Sequence, residues 1–447
     1  MGDTRGRTQQ DVVRFWQLQE LFDPQPLPKP TPRTTPPLGR RVTAWRPEDG
    51  DAALPWKRLT PPPPTKRGAA REWRHTLYLG VYALEDAYET LHAMFPADDD
   101  AYDERPGRKS AAAGALVDQD GRLIGGSGIL SSALWGIGQI RQARPLASMQ
   151  IKGFEAAGEA FTADVDRAAG VPDDDAFGVQ PVLDAALLMA LLQLAHRVAG
   201  VQDVHALAKH ELLISSQVVA ATAGETTPEI DFLNSFFVSD LRRVGDAIAQ
   251  GDVGPALDAY LAPDGDIDVQ QRIDIVARPE VVEAGVGPAR VPLGRWPANP
   301  RHALARSQQF AVNHALNELA GGPGLMGVNG PPGTGKTTML RDILASNVVE
   351  RARRLSACEN PLDAFTERTH EWTGEGRMRR RARELRPEVA GLEKVVASAN
   401  NADEENLSEE IPHRSATKDG RHVDADYFAC LATAALGGSG GGRGRPG

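Results

Sequence analysis

The run Gly330-Pro331-Pro332-Gly333-Thr334-Gly335-Lys336-Thr337 fits the pattern G-x-x-x-x-G-K-[ST] and constrains its surroundings more than any other stretch of the chain. Glycines at these spacings let a loop curl until successive backbone N–H groups point inward, where they hold an anion without Cβ obstruction. Lys336 supplies a point charge to terminal phosphates, and the Thr337 hydroxyl can complete the shell of a magnesium ion. Such a loop lies between a buried strand and a helix whose N-terminal dipole adds to the attraction. Leu325 to Asn329 (LMGVN) reads as that strand. The apolar spacing of Met339, Leu340, Ile343, Leu344, Val348 and Val349 predicts the helix, over Thr338 to Glu350. The residues expected to touch nucleotide are therefore Gly330, Pro331, Pro332, Gly333, Thr334, Gly335, Lys336, Thr337 and Thr338.

Length and composition bound the rest. A chain of 447 residues has room for two to four domains. Its 41% hydrophobic and 25% charged residues are those of an ordinary globular protein. A net charge of −10 argues against a wholesale nucleic-acid coat but leaves room for a local basic groove. Two cysteines, Cys358 and Cys430, cannot build a disulfide framework or a four-ligand zinc site, so a reducing cytoplasm is the expected setting. The first twenty residues are too polar for a signal peptide. Pro181 to Val201 is apolar but carries Asp184, Gln193, His196 and Arg197; it reads as a buried core helix, and no membrane partner is expected.

Five segments follow from the patterning. Residues 1–72 form a leader, with an amphipathic helix over Asp11 to Phe22 and proline-rich stretches suited either to connect or to dock in aromatic grooves. Residues 73–147 read as a small α+β module: a strand turning into a helix over Arg74 to Phe95, then a β-hairpin around Asp120-Gly121 over Gly114 to Leu130. Residues 148–290 are mainly helical, with helices near 151–169, 181–199 and 228–249, a strand over Leu212 to Val219, and a short helix ending near Leu261. His205, His210 and Glu211 open like a metal motif, but Ile214 stands where the second histidine of H-E-x-x-H belongs, so they are read as surface or core residues. Residues 291–435 hold the phosphate loop, and residues 436–447 are a glycine-rich tail.

Around the loop, Gln308 lies in Ser307-Gln308-Gln309-Phe310-Ala311-Val312, and an amide is suited to pair with the N6 and N7 edge of adenine. Lys394 to Asn401 reads as a second parallel strand ending in small and amide residues. In this order, S-Q-x-x-A-V, G-P-P-G-T-G-K-T and a strand ending S-A-N-N resemble the start of a superfamily 1 DNA/RNA helicase motor, over about Pro292 to Pro412. The resemblance implies an α/β P-loop NTPase fold, RecA-like with an incomplete parallel sheet, preceded by the α+β module and the helical region. It implies ATP and Mg²⁺ as cofactors, adenine reading by Gln308, magnesium at Thr337, and contact of Ser398, Asn400 and Asn401 with a single strand of DNA or RNA.

Two features depart from that family. Asp403 and Glu404 stand where small apolar residues continue the third motif. No apolar strand ending in Asp-Glu follows Lys336 to hold magnesium and polarise water, so the chain is expected to be the front of a longer helicase that binds ATP but hydrolyses little of it. Two other readings stay open: an AAA-type remodelling ATPase, which favours the same loop, and a nucleotide-binding product without activity. The arginine-rich run Arg377 to Arg386 reads either as a phosphate-contacting surface or as a solvated helix face.

Overall fold

In the first part of the chain the strand-forming sequence comes from separated stretches that meet in one sheet. A computed structural model describes residues 2–31, 39–64, 70–94, 107–142, 151–172, 179–221, 233–266, 269–296, 303–331, 333–373 and 379–397. The chain divides into two units, Met1–Val253 and Gly254–Gly447. In the first unit the strands are β1 (Arg41–Trp45), β2 (Arg71–Ala83), β3 (Lys109–Val117), β4 (Ile129–Leu130) and β5 (Leu212–Ala220), in the order β1-β5-β2-β3-β4. Every neighbouring pair is antiparallel. β5, from the stretch that reads as mainly helical, inserts between β1 and β2; Thr76 faces Ser215 across one ladder and Leu116 across the other.

The helices of this unit are α1 (Gly2–Leu21), α2 (Pro55–Arg58), α3 (Leu84–Met94), α4 (Ser132–Arg141), α5 (Ile151–Ala168), α6 (Ala185–Ala199) and α7 (Phe237–Gln250). α6 shows why. Leu188, Leu191, Leu192, Ala195 and Ala199 recur at helical spacing and are all fully buried. Asp184 caps its start by accepting from the Leu187 N–H at 2.8 Å, and Gly200 ends it in the left-handed conformation. Its leucines pack with Leu77 and Leu79 of β2, Ala113 and Ala115 of β3, and Ile214 of β5. Each buried leucine contributes about 1.5–3 kcal/mol. The run of small residues in β3 lets the helix approach, and so does Gly80: at φ 66° a Cβ there would lie 2.5 Å from His196 Nε2. A thinner second cluster, with Val42, Tyr78, Val81 and Leu213, lies on the other face.

The expected hairpin over Gly114 to Leu130 forms around Asp118, whose carboxylate accepts from the Asp120 and Arg122 N–H groups at 2.9 and 2.8 Å. Glu211, considered above as a metal ligand, pairs instead with Arg46 and Lys109 at 2.7 and 3.2 Å. Among the described residues no helix is long and apolar enough to cross a membrane.

The second unit has α8 (Pro255–Tyr260), α9 (Pro279–Gly285), α10 (Arg306–Glu318) and α11 (Lys336–Ser356), then an antiparallel hairpin of β6 (Phe365–Thr373) and β7 (Arg379–Leu385). This corrects the expected fold. The described sheets are antiparallel, and among the described residues there is no RecA-like parallel sheet. Leu325 to Asn329 forms no strand, and its Leu325 and Val328 are 52% and 44% exposed. The described part of the other expected strand, Lys394 to Ala397, forms none either. A parallel strand takes its hydrogen bonds from neighbours, and among the described residues no neighbour is in place. Residues 388–394 are held along α11 instead: Arg354 donates to the Glu388 carbonyl, Arg351 pairs with Glu393, and Lys394 Nζ donates to the Leu344 carbonyl. Within the arginine-rich run, Arg379–Leu385 is likewise a strand, β7, and not a helix face.

Candidate functional site

The loop at the start of α11 closes on itself through its own carbonyl groups. Gly333 and Gly335 stand at φ 78° and 77°, conformations that side chains rarely adopt, and Gly335 is the residue from which the helix starts. Thr334 Oγ1 donates to the Pro331 carbonyl at 2.7 Å. Lys336 Nζ donates to the carbonyls of Gly330 at 2.5 Å and Pro331 at 3.1 Å. An ammonium has three donors, so one remains for a ligand while the other two fix the cation over the loop. Lys336, Thr334 and Gly333 are exposed, so an anion reaches them from solvent. The first-turn N–H groups of the twenty-one-residue α11 point to the same end, where the helix dipole favours negative charge.

Gln308 is brought to this loop from α10, and its amide is occupied. Its Nε2 donates to the Thr334 carbonyl at 2.7 Å and its Oε1 accepts from the Ala305 N–H at 2.8 Å. The second bond caps α10; the first ties α10 to the loop. A Cβ on Gly335 would lie 2.5 Å from the same Nε2, so glycine at that position also serves the contact. Gln308 in this arrangement braces the loop before α11, and any use of its amide elsewhere requires it to release Thr334.

The loop residues Gly330, Pro331, Gly333, Thr334, Gly335 and Lys336 thus come together with Gln308, and Thr338 follows in the first helical turn, its N–H on the Gly335 carbonyl at 3.0 Å. Thr337 lies in the same turn, but its side chain is outside the described residues, as are Pro332, Ser398, Asn400 and Asn401.

Pattern reading missed the residues that anchor α11 and α10. Asp342, 6% exposed, accepts from Arg295 Nε at 3.2 Å and the Trp296 N–H at 2.8 Å, so the chain before α10 is tied to the helix after the loop. Asn313, 1% exposed, donates to the Gly285 carbonyl at 2.9 Å and accepts from Gln309, joining α10 to α9. A lone acid inside an apolar helical spacing was the available signal. A cavity of about 630 Å³ lined by Ile273, Ile275, Phe310 and His314 also borders α10, and none of the loop residues lines it.

Comparison with protein-family models, with curated proteins and with solved structures gives no match.

Proposed function

We propose that Gly330 to Thr338 is a phosphate-binding site for a nucleoside triphosphate, ATP with Mg²⁺, held at the N-terminus of α11. The observation that carries this reading is the Lys336 ammonium fixed over a loop curled by left-handed Gly333 and Gly335. The chain's own residues supply the grip: Lys336 as counter-charge, those loop and first-turn N–H groups that are not already bonded within the turn, as Thr334 and Thr338 are, as donors, and Gln308 as the brace. Thr337 is the residue of the motif suited to the magnesium that accompanies a triphosphate, whose chemistry is to neutralise charge between β- and γ-phosphates. A wider role in an ATP-dependent nucleic-acid motor rests on motif order alone, Gln308, then the loop, then Ser398 to Asn401. No described strand after Lys336 is apolar and ends in paired acids, since β6 reads FTERTHEWT and β7 RRRAREL. The proposal is therefore binding with little turnover.

The test is a titration with a fluorescent ATP analogue and Mg²⁺. Lys336→Ala should weaken binding by about tenfold or more, the loss of one charge-assisted contact of about 1.5–3 kcal/mol. Equal affinity of the two proteins refutes the site. Steady-state hydrolysis that disappears on the same substitution refutes the absence of turnover.

A further inference from the structure

The β6–β7 hairpin is solvent-exposed along both strands apart from Thr366, Glu384 and Leu385, so its side chains have little packing to do. A two-stranded ribbon of this kind is marginal on its own, and its composition is unusual for the chain. In a protein of net charge −10, β7 carries Arg379, Arg380, Arg381 and Arg383. Among the described residues none of these four is in an ion pair or side-chain hydrogen bond, whereas Arg368 and His370 of β6 pair with Glu384.

Register sorts these charges. Trp372 pairs with Arg380 and His370 with Ala382, and directly opposed residues share a face. Arg380, Trp372 and His370 therefore stand on one face. Thr373 pairs with Arg379, Glu371 with Arg381 and Thr369 with Arg383, which places Arg379, Arg381 and Arg383 in a row on the other. Alternate residues of a strand are about 6.8 Å apart, so the three arginines form an evenly spaced row opposed by one carboxylate, Glu371.

We infer that this row is a binding site for the sugar–phosphate backbone of a single-stranded nucleic acid. Each guanidinium presents a planar fork of donors matched to phosphate. A flexible single strand can follow the twist of a two-stranded ribbon and set successive phosphates beside the row, whereas the phosphates of a duplex are fixed on a helix of their own. The inference uses neither the phosphate loop nor Ser398 to Asn401, and its test contains no nucleotide, so it stands or falls apart from the proposal above. The competing account is that exposed arginines keep an open ribbon from pairing with other chains.

The experiment is fluorescence anisotropy of a dye-labelled oligothymidylate of about 20 nucleotides with the full chain. Three phosphate contacts give a slope of log affinity against log salt near −2, or about a 20-fold loss between about 50 and 200 mM salt. The variant carrying R379Q, R381Q and R383Q should bind at least about tenfold more weakly and lose about 2 from the slope. R380Q removes the same charge from the same strand on the other face, and should change affinity less than about threefold with the slope nearly unchanged. All four positions are exposed, and circular dichroism should confirm that both variants are folded. The single variant R381Q, measured beside R380Q, is the comparison matched in charge. The inference is overturned if the unmodified chain does not bind, if R380Q is as damaging as R381Q, if a duplex of equal length binds more tightly, or if vesicles of anionic phospholipid compete as well as the oligonucleotide.

Discussion

Replacing Gln308 by alanine separates two roles that the same side chain can play. In the structure the amide makes two bonds, 2.7 Å to the Thr334 carbonyl and 2.8 Å from the Ala305 N–H. Both backbone groups belong to exposed residues and regain water when the amide is removed, so each bond contributes about 0.5–1 kcal/mol net and not the larger penalty of an orphaned buried group. The bond to Thr334 is the one that holds the loop, so Gln308→Ala should loosen the loop by about 0.5–1 kcal/mol and weaken triphosphate binding by about 2- to 5-fold, the lost Ala305 bond falling on the start of α10. The base does not enter that argument. ATP and GTP should lose affinity equally, because what is lost is the shape of the phosphate cradle. Calorimetric titration of both nucleotides into both proteins measures this directly. A loss confined to ATP restores adenine reading to Gln308 and refutes the bracing role; unchanged affinity for both shows that Lys336 and the glycines hold the loop unaided.

Two further predictions concern the first unit. His75 and His196, 0% and 3% exposed, are both held near pKa 4 by burial, with His210 adding to the effect at His196. Their folded values lie below the ordinary 6.5, so the unfolded chain takes up protons first: their contribution is whole above about pH 6.5 and falls toward about pH 4, by about 1.4 kcal/mol per pH unit for each histidine. Guanidinium unfolding followed by tryptophan fluorescence should show the midpoint falling across that window, and a midpoint constant through it refutes the burial argument. Gly80→Ala forces a Cβ into a left-handed conformation 2.5 Å from His196 Nε2, and should lower stability by about 2–4 kcal/mol in the same assay; a loss below about 0.5 kcal/mol would show that α6 can shift on the sheet.

How much was legible depends on whether the information is local. The apolar period of α6 was readable because it lies within twenty residues, although that period places the start at Pro181, four residues before Ala185, and does not use the Asp184 cap. The strand character of Leu212 to Val219 and the turn at Asp118 to Gly121 were readable for the same reason. The loop with Lys336 was the clearest case, since curling needs only glycines at set spacings. Strand partners are not local. Nothing in LMGVN distinguishes a strand that finds a neighbour from an extended segment that finds none, and short apolar runs satisfy both patterns. The parallel sheet was an inference from neighbours that the fold does not supply.

The amino-acid order alone therefore determined that helices form over stretches such as α6 and α11 and that the loop before α11 can curl, because periodicity and glycine freedom act over a few residues. Only the tertiary structure decided that β5 enters the sheet between β1 and β2, that Lys394 lies on α11 instead of in a strand, and that Gln308 spends both ends of its amide on the protein. Each of those depends on a partner contributed from elsewhere in the chain. A hydrogen-bonding group is committed only when that partner arrives.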